Sequence, residues 1–148
     1  MHSLPRYLER LVASKAINAY QKDNLKHRIS TADPHQLTLM LMQGAIERLA
    51  YAKGAHERDQ MQLRIELVSK ATSIFINLRD TLDMEVGGEF AENLFSLYDY
   101  MIDKLSSTTP DTFSQTIDEV IALFLPIKNA WQEISEEDKQ KAYAQQNA

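Results

Sequence analysis

Thr31-Ala-Asp-Pro-His-Gln-Leu-Thr-Leu-Met-Leu-Met-Gln-Gly-Ala-Ile46 joins a well-marked helix start to an unusually broad apolar face. Asp33 fits the N-cap and Pro34 the first helical position, where its missing N–H costs nothing. Gln36 stands where it completes a capping box. From there Leu37, Leu41, Ala45, Leu49 and Ala52 form one seam, and a helix to about Glu57 is predicted. Leu39, Met40, Met42 and Ile46 add apolar surface on neighbouring faces, more than a helix with two partners needs. Gly44 has no breaker role in mid-helix and points to close approach of a neighbouring backbone.

Further along, three more helices follow the same logic. The second is expected over roughly 59–82, with Met61, Ile65, Val68, Phe75, Leu78 and Leu82 inward. Gly87-Gly88 reads as a stop, so the third, roughly 89–106, returns antiparallel with Ala91, Leu94, Tyr98, Met101 and Leu105 as its seam. Phe90, Phe95, Leu97 and Ile102 widen that stripe. The fourth, roughly 112–134, repeats Phe113, Ile117, Val120, Phe124, Ile127, Trp131 and Ile134 at spacings of four and three, with Pro126 expected to kink it.

The fold class is therefore all-α: an antiparallel four-helix bundle with a short N-terminal amphipathic arm and a short C-terminal helix. A chain of 148 residues with only four glycines and four prolines suits one such domain. Residues 1–30 form the arm, 33–134 the bundle core and 135–148 a polar helix or tail. In the arm, Leu4, Tyr7, Leu8, Leu11 and Val12 share one helical face. So short a helix is stable only against an apolar surface.

Charge is unevenly placed. Residues 1–30 carry six bases against two acids, whereas residues 83–148 carry four bases against thirteen acids. The ends should attract each other, and the acidic half argues against nucleic acid as the main partner. No apolar run approaches the ~20 residues of a membrane span, and no secretion signal is visible, so a soluble cytoplasmic protein is expected.

Catalytic chemistry finds no support. With no cysteine there is neither disulfide, thiolate site nor thiol nucleophile. None of the histidines, His2, His27, His35 and His56, has a glutamate three residues before it, as a di-iron bundle requires. His35 and His56 are expected to be solvated near helix ends, and Asp99 is expected to be a solvated carboxylate. There is no nucleophile elbow and no phosphate-binding loop. No enzyme, metal or cofactor is expected. What remains is binding through surplus apolar surface, either to another protein or to a second copy in a structural homo-oligomer.

Several short stretches, in order, resemble one family. They are Ala19-Tyr20, Thr31-Ala32 followed by Pro34, Leu37 with Leu39-Met40-Leu41, Gly44-Ala45-Ile46, Ala52-Lys53 and Lys70-Ala71. Leu82-Asp83-Met84-Glu85 with Gly87-Gly88, Asn93-Leu94, Leu97-Tyr98-Asp99-Tyr100-Met101, Asp118-Glu119-Val120-Ile121 and Trp131 complete the set. Together they resemble the flagellin-specific export chaperones of bacteria, the FliS family. The chain departs from that family's usual tyrosine and aspartate at Met42 and Gln43, and from its unbroken last helix at Pro126.

The resemblance implies a cytoplasmic bundle that holds the disordered C-terminal segment of flagellin, prevents premature polymerisation and presents it to the flagellar type III export gate. Other flagellar regulators are further candidate partners, and the chain itself is expected to be a monomer or weak homodimer. A client that folds on binding must offset ~1–2 kcal/mol of ordering per residue, so its receptor needs long apolar grooves rather than a small pocket. The client-binding candidates are Ile17, Tyr20, Leu39, Met42, Asn93, Leu97, Tyr100 and Phe124. Tyr20 and Tyr100 pair a ring with a hydroxyl, and Asn93 can both donate and accept. Met40, Met42 and Met101 would let the surface adapt. The periodicity leaves open which helix pair forms the groove. Leu4, Tyr7, Leu8 and Leu11 are candidates for an autoinhibitory arm that covers it until client arrives.

Overall fold

The computed structural model of the chain describes residues 33–134, within which every regular element is an α-helix. These are α1 (Pro34–Glu57), α2 (Met61–Asp80), α3 (Met84–Ser107) and α4 (Phe113–Gln132). Ile17, Tyr20, the arm residues Leu4, Tyr7, Leu8 and Leu11, and the expected C-terminal helix lie outside the described residues.

Each helix packs on its sequence neighbours, and α1 also packs on α4, so the four close a ring in which α1 and α3, and α2 and α4, sit diagonally. His35 meets Trp131 at one end of the α1–α4 pair and Lys53 meets Asp118 at the other, which makes the two helices antiparallel. The short turns Arg58–Gln60 and Thr81–Asp83 impose the same alternation on α1–α2 and α2–α3. The core holds the expected seams. Leu37, Leu41, Ala45, Leu49 and Ala52 of α1 face Ala71, Phe75 and Leu78 of α2, Tyr98, Met101 and Leu105 of α3, and Ile117, Val120 and Phe124 of α4. At its centre the Phe75 ring meets Phe124 edge-on at 4.9 Å, with Tyr98 6.3 Å from Phe124.

Helix boundaries follow their caps. Asp33 accepts from the Gln36 N–H at 2.7 Å, as the first-turn signature requires. α1 ends in a Schellman arrangement: the Gln60 N–H donates to the Ala55 carbonyl, the Asp59 N–H donates to the His56 carbonyl, and Asp59 takes φ 57°. Asp59 therefore belongs to the turn, and α2 starts two residues later than the sequence suggests. α3 starts earlier, because Asp83 accepts from the N–H groups of Glu85 and Val86 and builds one turn before the break. The break itself is Gly88, at φ 53° and ψ −133°, a conformation that disfavours a side chain. α4 runs from Phe113 to Gln132 through the exposed Pro126, which interrupts its hydrogen-bond ladder without ending the helix.

The expected inward face of α2 needs correction. Met61 and Ile65 are exposed, whereas Ala71, Ile74, Phe75 and Leu78 are buried. Counted back in turns from Phe75, the inward line passes through Ala71 to Arg64 rather than Ile65. The Arg64 guanidinium lies 5.3 Å from the Phe113 centroid and donates to His56 Nδ1 at 2.8 Å. An arginine stem thus closes this end of the bundle, where an aliphatic residue was expected.

Candidate functional site

Besides the exposed Met61, Leu63, Ile65 and Ile76 of α2, apolar side chains that the core does not fully absorb line both flanks of α4. A helix at the corner of a four-membered ring has two neighbours, and its apolar stripe is wider than the seam needs. One flank carries Ile121 and Leu125, opposite the α1 line of Leu39 and Ile46. Its ends are fixed. At one, Trp131 Nε1 donates to the His35 carbonyl at 3.1 Å, His35 Nε2 donates to the Trp131 carbonyl, and the two rings stack 5.1 Å apart at 8°. At the other, Lys53 Nζ donates to both carboxylate oxygens of Asp118 at 2.8 and 3.0 Å. That hydrogen bond is the main reason the Lys53 pKa is raised. Between the two clasps lie the half-buried Leu39, Ile46 and Ile121 and the exposed Leu125, an apolar strip along the α1–α4 cleft.

The other flank of α4 carries Leu123 and Ile127, and α3 presents Leu94 and Leu97 toward it, all four half-buried against the core. α3 and α4 pack least extensively of the neighbouring pairs. Among the described residues polar contacts cross it at one end: Tyr100 Oη donates to Glu119 at 2.8 Å, and Lys104 Nζ lies 3.6 Å from the other Glu119 oxygen and 5.8 Å from the Tyr100 ring centroid. The Glu119 carboxylate holds the Tyr100 hydroxyl above the ordinary phenol range. Phe90 and Asn93 lie exposed toward the cleft's other end. A surface of this form can accept an amphipathic helix or extended chain by apolar burial, with Glu119, Tyr100 and Asn93 offering hydrogen bonds at its rim.

The sequence candidates divide between the two clefts. Leu39 falls in the α1–α4 cleft, and Leu97, Tyr100 and Asn93 along the α3–α4 cleft. Two are placed differently from expectation. Phe124 is wholly buried between Phe75 and Tyr98, and Met42 is 3% exposed in the core. Phe124 stands on the inward line of α4, and Met42, one position round from the α1 seam, is covered as the helices close. Met101 is likewise core, and of the adaptable methionines Met40 is half-buried. The histidine expectation is corrected too: His35 is 3% exposed beneath Trp131, and His56 is half-buried against Phe113. Asp99 accepts from Arg79 at 2.8 Å. Ile127, expected in the α4 seam, is half-buried, and Leu123, Ile121 and Leu125 carry no expectation from the sequence although their spacing beside that seam marks them as its flanks. Among the described residues, no three His, Asp or Glu converge as a metal site would require, and no helix is long and apolar enough to cross a membrane.

Comparison with known proteins matches the family model described as flagellar protein FliS to residues 16–138. The chain is 44% identical over 125 residues to the flagellar secretion chaperone FliSB of Pseudomonas aeruginosa, covering 84% of this chain and 99% of the relative. It is 38% identical over 122 residues to the flagellar secretion chaperone FliS of Vibrio cholerae, covering 82% and 90%. Identity to the Salmonella typhimurium FliS is also 38%, over 126 residues, covering 84% and 93%.

Proposed function

This chain belongs to the FliS family, and from that premise we propose that it is a cytoplasmic, non-enzymatic export chaperone for flagellin. It holds the disordered C-terminal segment of flagellin along the clefts that flank α4, prevents premature polymerisation and delivers the segment to the flagellar type III export gate. Family membership supports the export-chaperone role. The observation that carries the client assignment is the half-buried and exposed apolar surface beside α4, formed by Leu39, Ile46, Ile121 and Leu125 on one side and Leu94, Leu97, Leu123 and Ile127 on the other. Its length suits a chain that folds as it binds, because such a chain needs extended burial to offset its own ordering.

Leu39, Leu97, Tyr100 and Asn93 make direct client contacts in this reading. Met42 and Phe124 set the spacing of the helices from within. Ile17 and Tyr20 extend the contact beyond the described residues. The arm with Leu4, Tyr7, Leu8 and Leu11 covers a cleft in the free chain, so removing residues 1–15 should raise client affinity. Unchanged or lowered affinity, with no gain in exposed apolar surface, would remove the arm from the account.

Coexpression with flagellin tests the assignment. A stable one-to-one complex should be recovered with whole flagellin and lost when flagellin's C-terminal segment is deleted. Equal recovery of the truncated flagellin would overturn the proposal. A stable homo-oligomer that never releases a protomer to flagellin would favour the structural alternative.

A further inference from the structure

The α2 edge that turns toward α3 belongs to neither cleft. Met61 is 62% exposed, Ile65 52% and Ile76 36%, with half-buried Val68 and Thr72 between them on the same side. The line is bounded by two contacts. Arg64 over Phe113 marks one end, and at the other Arg79 lies 5.5 Å from the Phe95 centroid and pairs with Asp99. Met61 to Ile76 spans about 22 Å at 1.5 Å per residue, roughly four helical turns.

The rim of this apolar line is acidic. α3 presents Glu92, Asp99 and Asp103 beside it, and the turn before α4 adds Asp111, all exposed. Arg79 is engaged by Asp80 and Asp99, and Lys104 is held on the far side of α3 by Glu119. Residues 33–134 contain eight bases against sixteen acids, so a second copy laid here would bring carboxylates against carboxylates. α2 is diagonal to α4 in the ring, so this face and the two clefts can be occupied together.

We infer that the α2–α3 face is a second docking surface, and that its occupant is an amphipathic helix of another protein carrying lysine or arginine along its flank. The apolar face of that helix covers Met61, Ile65, Val68 and Ile76, and its bases meet Glu92, Asp103 and Asp111. The charge pattern selects the partner and speeds encounter, while the apolar line holds it. The surface lets the chain keep its client while a second protein takes hold.

The probe is a labelled designed peptide of about eighteen residues, enough for the ~22 Å line, with leucines on one face and lysines on both flanks. A counterpart carrying glutamate in place of lysine is the control. Full-length chain should bind the lysine peptide saturably, more weakly as salt rises, and equally well with a saturating flagellin C-terminal peptide present. Ile65→Glu and Ile76→Glu should each weaken binding about tenfold or more, with circular dichroism confirming that each variant stays folded. Asp103→Lys should weaken it without touching the apolar line.

Undiminished binding by Ile65→Glu and Ile76→Glu would overturn the inference, as would equal binding of the glutamate peptide or competition with the flagellin peptide. Binding that appears only after residues 1–15 are removed would make the chain's own arm the occupant. Self-association abolished by Ile65→Glu would make it a second copy. If the flagellin peptide does not bind, the substitution series decides alone, so the two assignments fail separately.

Discussion

His35 and Trp131 tie the first turn of α1 to the last turn of α4 by a ring stack and reciprocal side-chain to carbonyl hydrogen bonds. His35→Ala should cost about 2–4 kcal/mol, combining lost packing with buried groups left unpaired. His35→Phe, which keeps a stacked ring but loses the donor, should cost less, about 1–3 kcal/mol. Trp131 is the chain's one tryptophan, so its fluorescence in a denaturant titration reports both variants. Equal and negligible losses would mean that the clasp contributes nothing to stability. This clasp was illegible in the sequence because its halves lie 96 positions apart, and a histidine in a first turn is ordinarily wet.

Two backbone positions give predictions of opposite sign. Asp59 occupies a left-handed site that glycine adopts freely, so Asp59→Gly should stabilise the chain by up to about 1 kcal/mol. Gly88→Ala should destabilise it by about 1–2 kcal/mol through backbone strain alone, since an added Cβ at Gly88 meets nothing within 4 Å. Thermal melting checks both. Titration adds a third prediction. Tyr100 and Lys53 are held above their ordinary values of 10.0 and 10.5, chiefly by hydrogen bonds to Glu119 and Asp118. A raised folded-state pKa contributes stability that is complete below the unfolded value and lost as pH rises through the folded one. The cross-links on both sides of α4 should therefore weaken above about pH 10. Stability that does not fall more in the wild type than in Tyr100→Phe there would contradict the Tyr100 contribution.

At the scale of elements, the sequence was most informative where apolar period and cap agreed. α1 has both, and its start and seam follow the reading closely. α3 was read from its glycines, which located the break at Gly88 but hid the turn that Asp83 caps before it. α2 was the least legible, because Met61 and Ile65 keep an apolar rhythm while Arg64 takes the inward place. The rhythm of one helix cannot say whether an arginine stem or an isoleucine closes the bundle's end, since Phe113 and His56, which receive that stem, come from other segments. In α4 the seam was legible and the flanks were not, because a cleft exists only between two helices. The prediction for this element is that Leu97→Glu and Leu123→Glu, on opposite walls of the α3–α4 cleft, each weaken flagellin-segment binding at least about tenfold, from the loss of one or two buried aliphatic contacts. Because both side chains are half-buried, circular dichroism should confirm that each variant stays folded. Binding unchanged in both would move the client to the α1–α4 side.

As a whole, residues 33–134 form a ring whose fourth helix carries apolar residues on each flank, with side-chain contacts at both ends of the α1 side and the Tyr100–Glu119 hydrogen bond on the α3 side. The ring could be anticipated from helix lengths and short turns, which leave antiparallel neighbours as the compact solution. The proposed client surface is legible in the sequence only as surplus apolar residues: Leu39 and Leu97 are half-buried and Tyr100 and Asn93 exposed, whereas Met42 and Phe124 are buried in the core. The central claim, that this surface receives a disordered flagellin segment and folds it, is tested most directly by titrating the chain into a labelled peptide of flagellin's C-terminal segment while following anisotropy and helicity together. Saturable one-to-one binding with a simultaneous gain in helix is expected. No binding, either by the whole chain or after removal of residues 1–15, would contradict it.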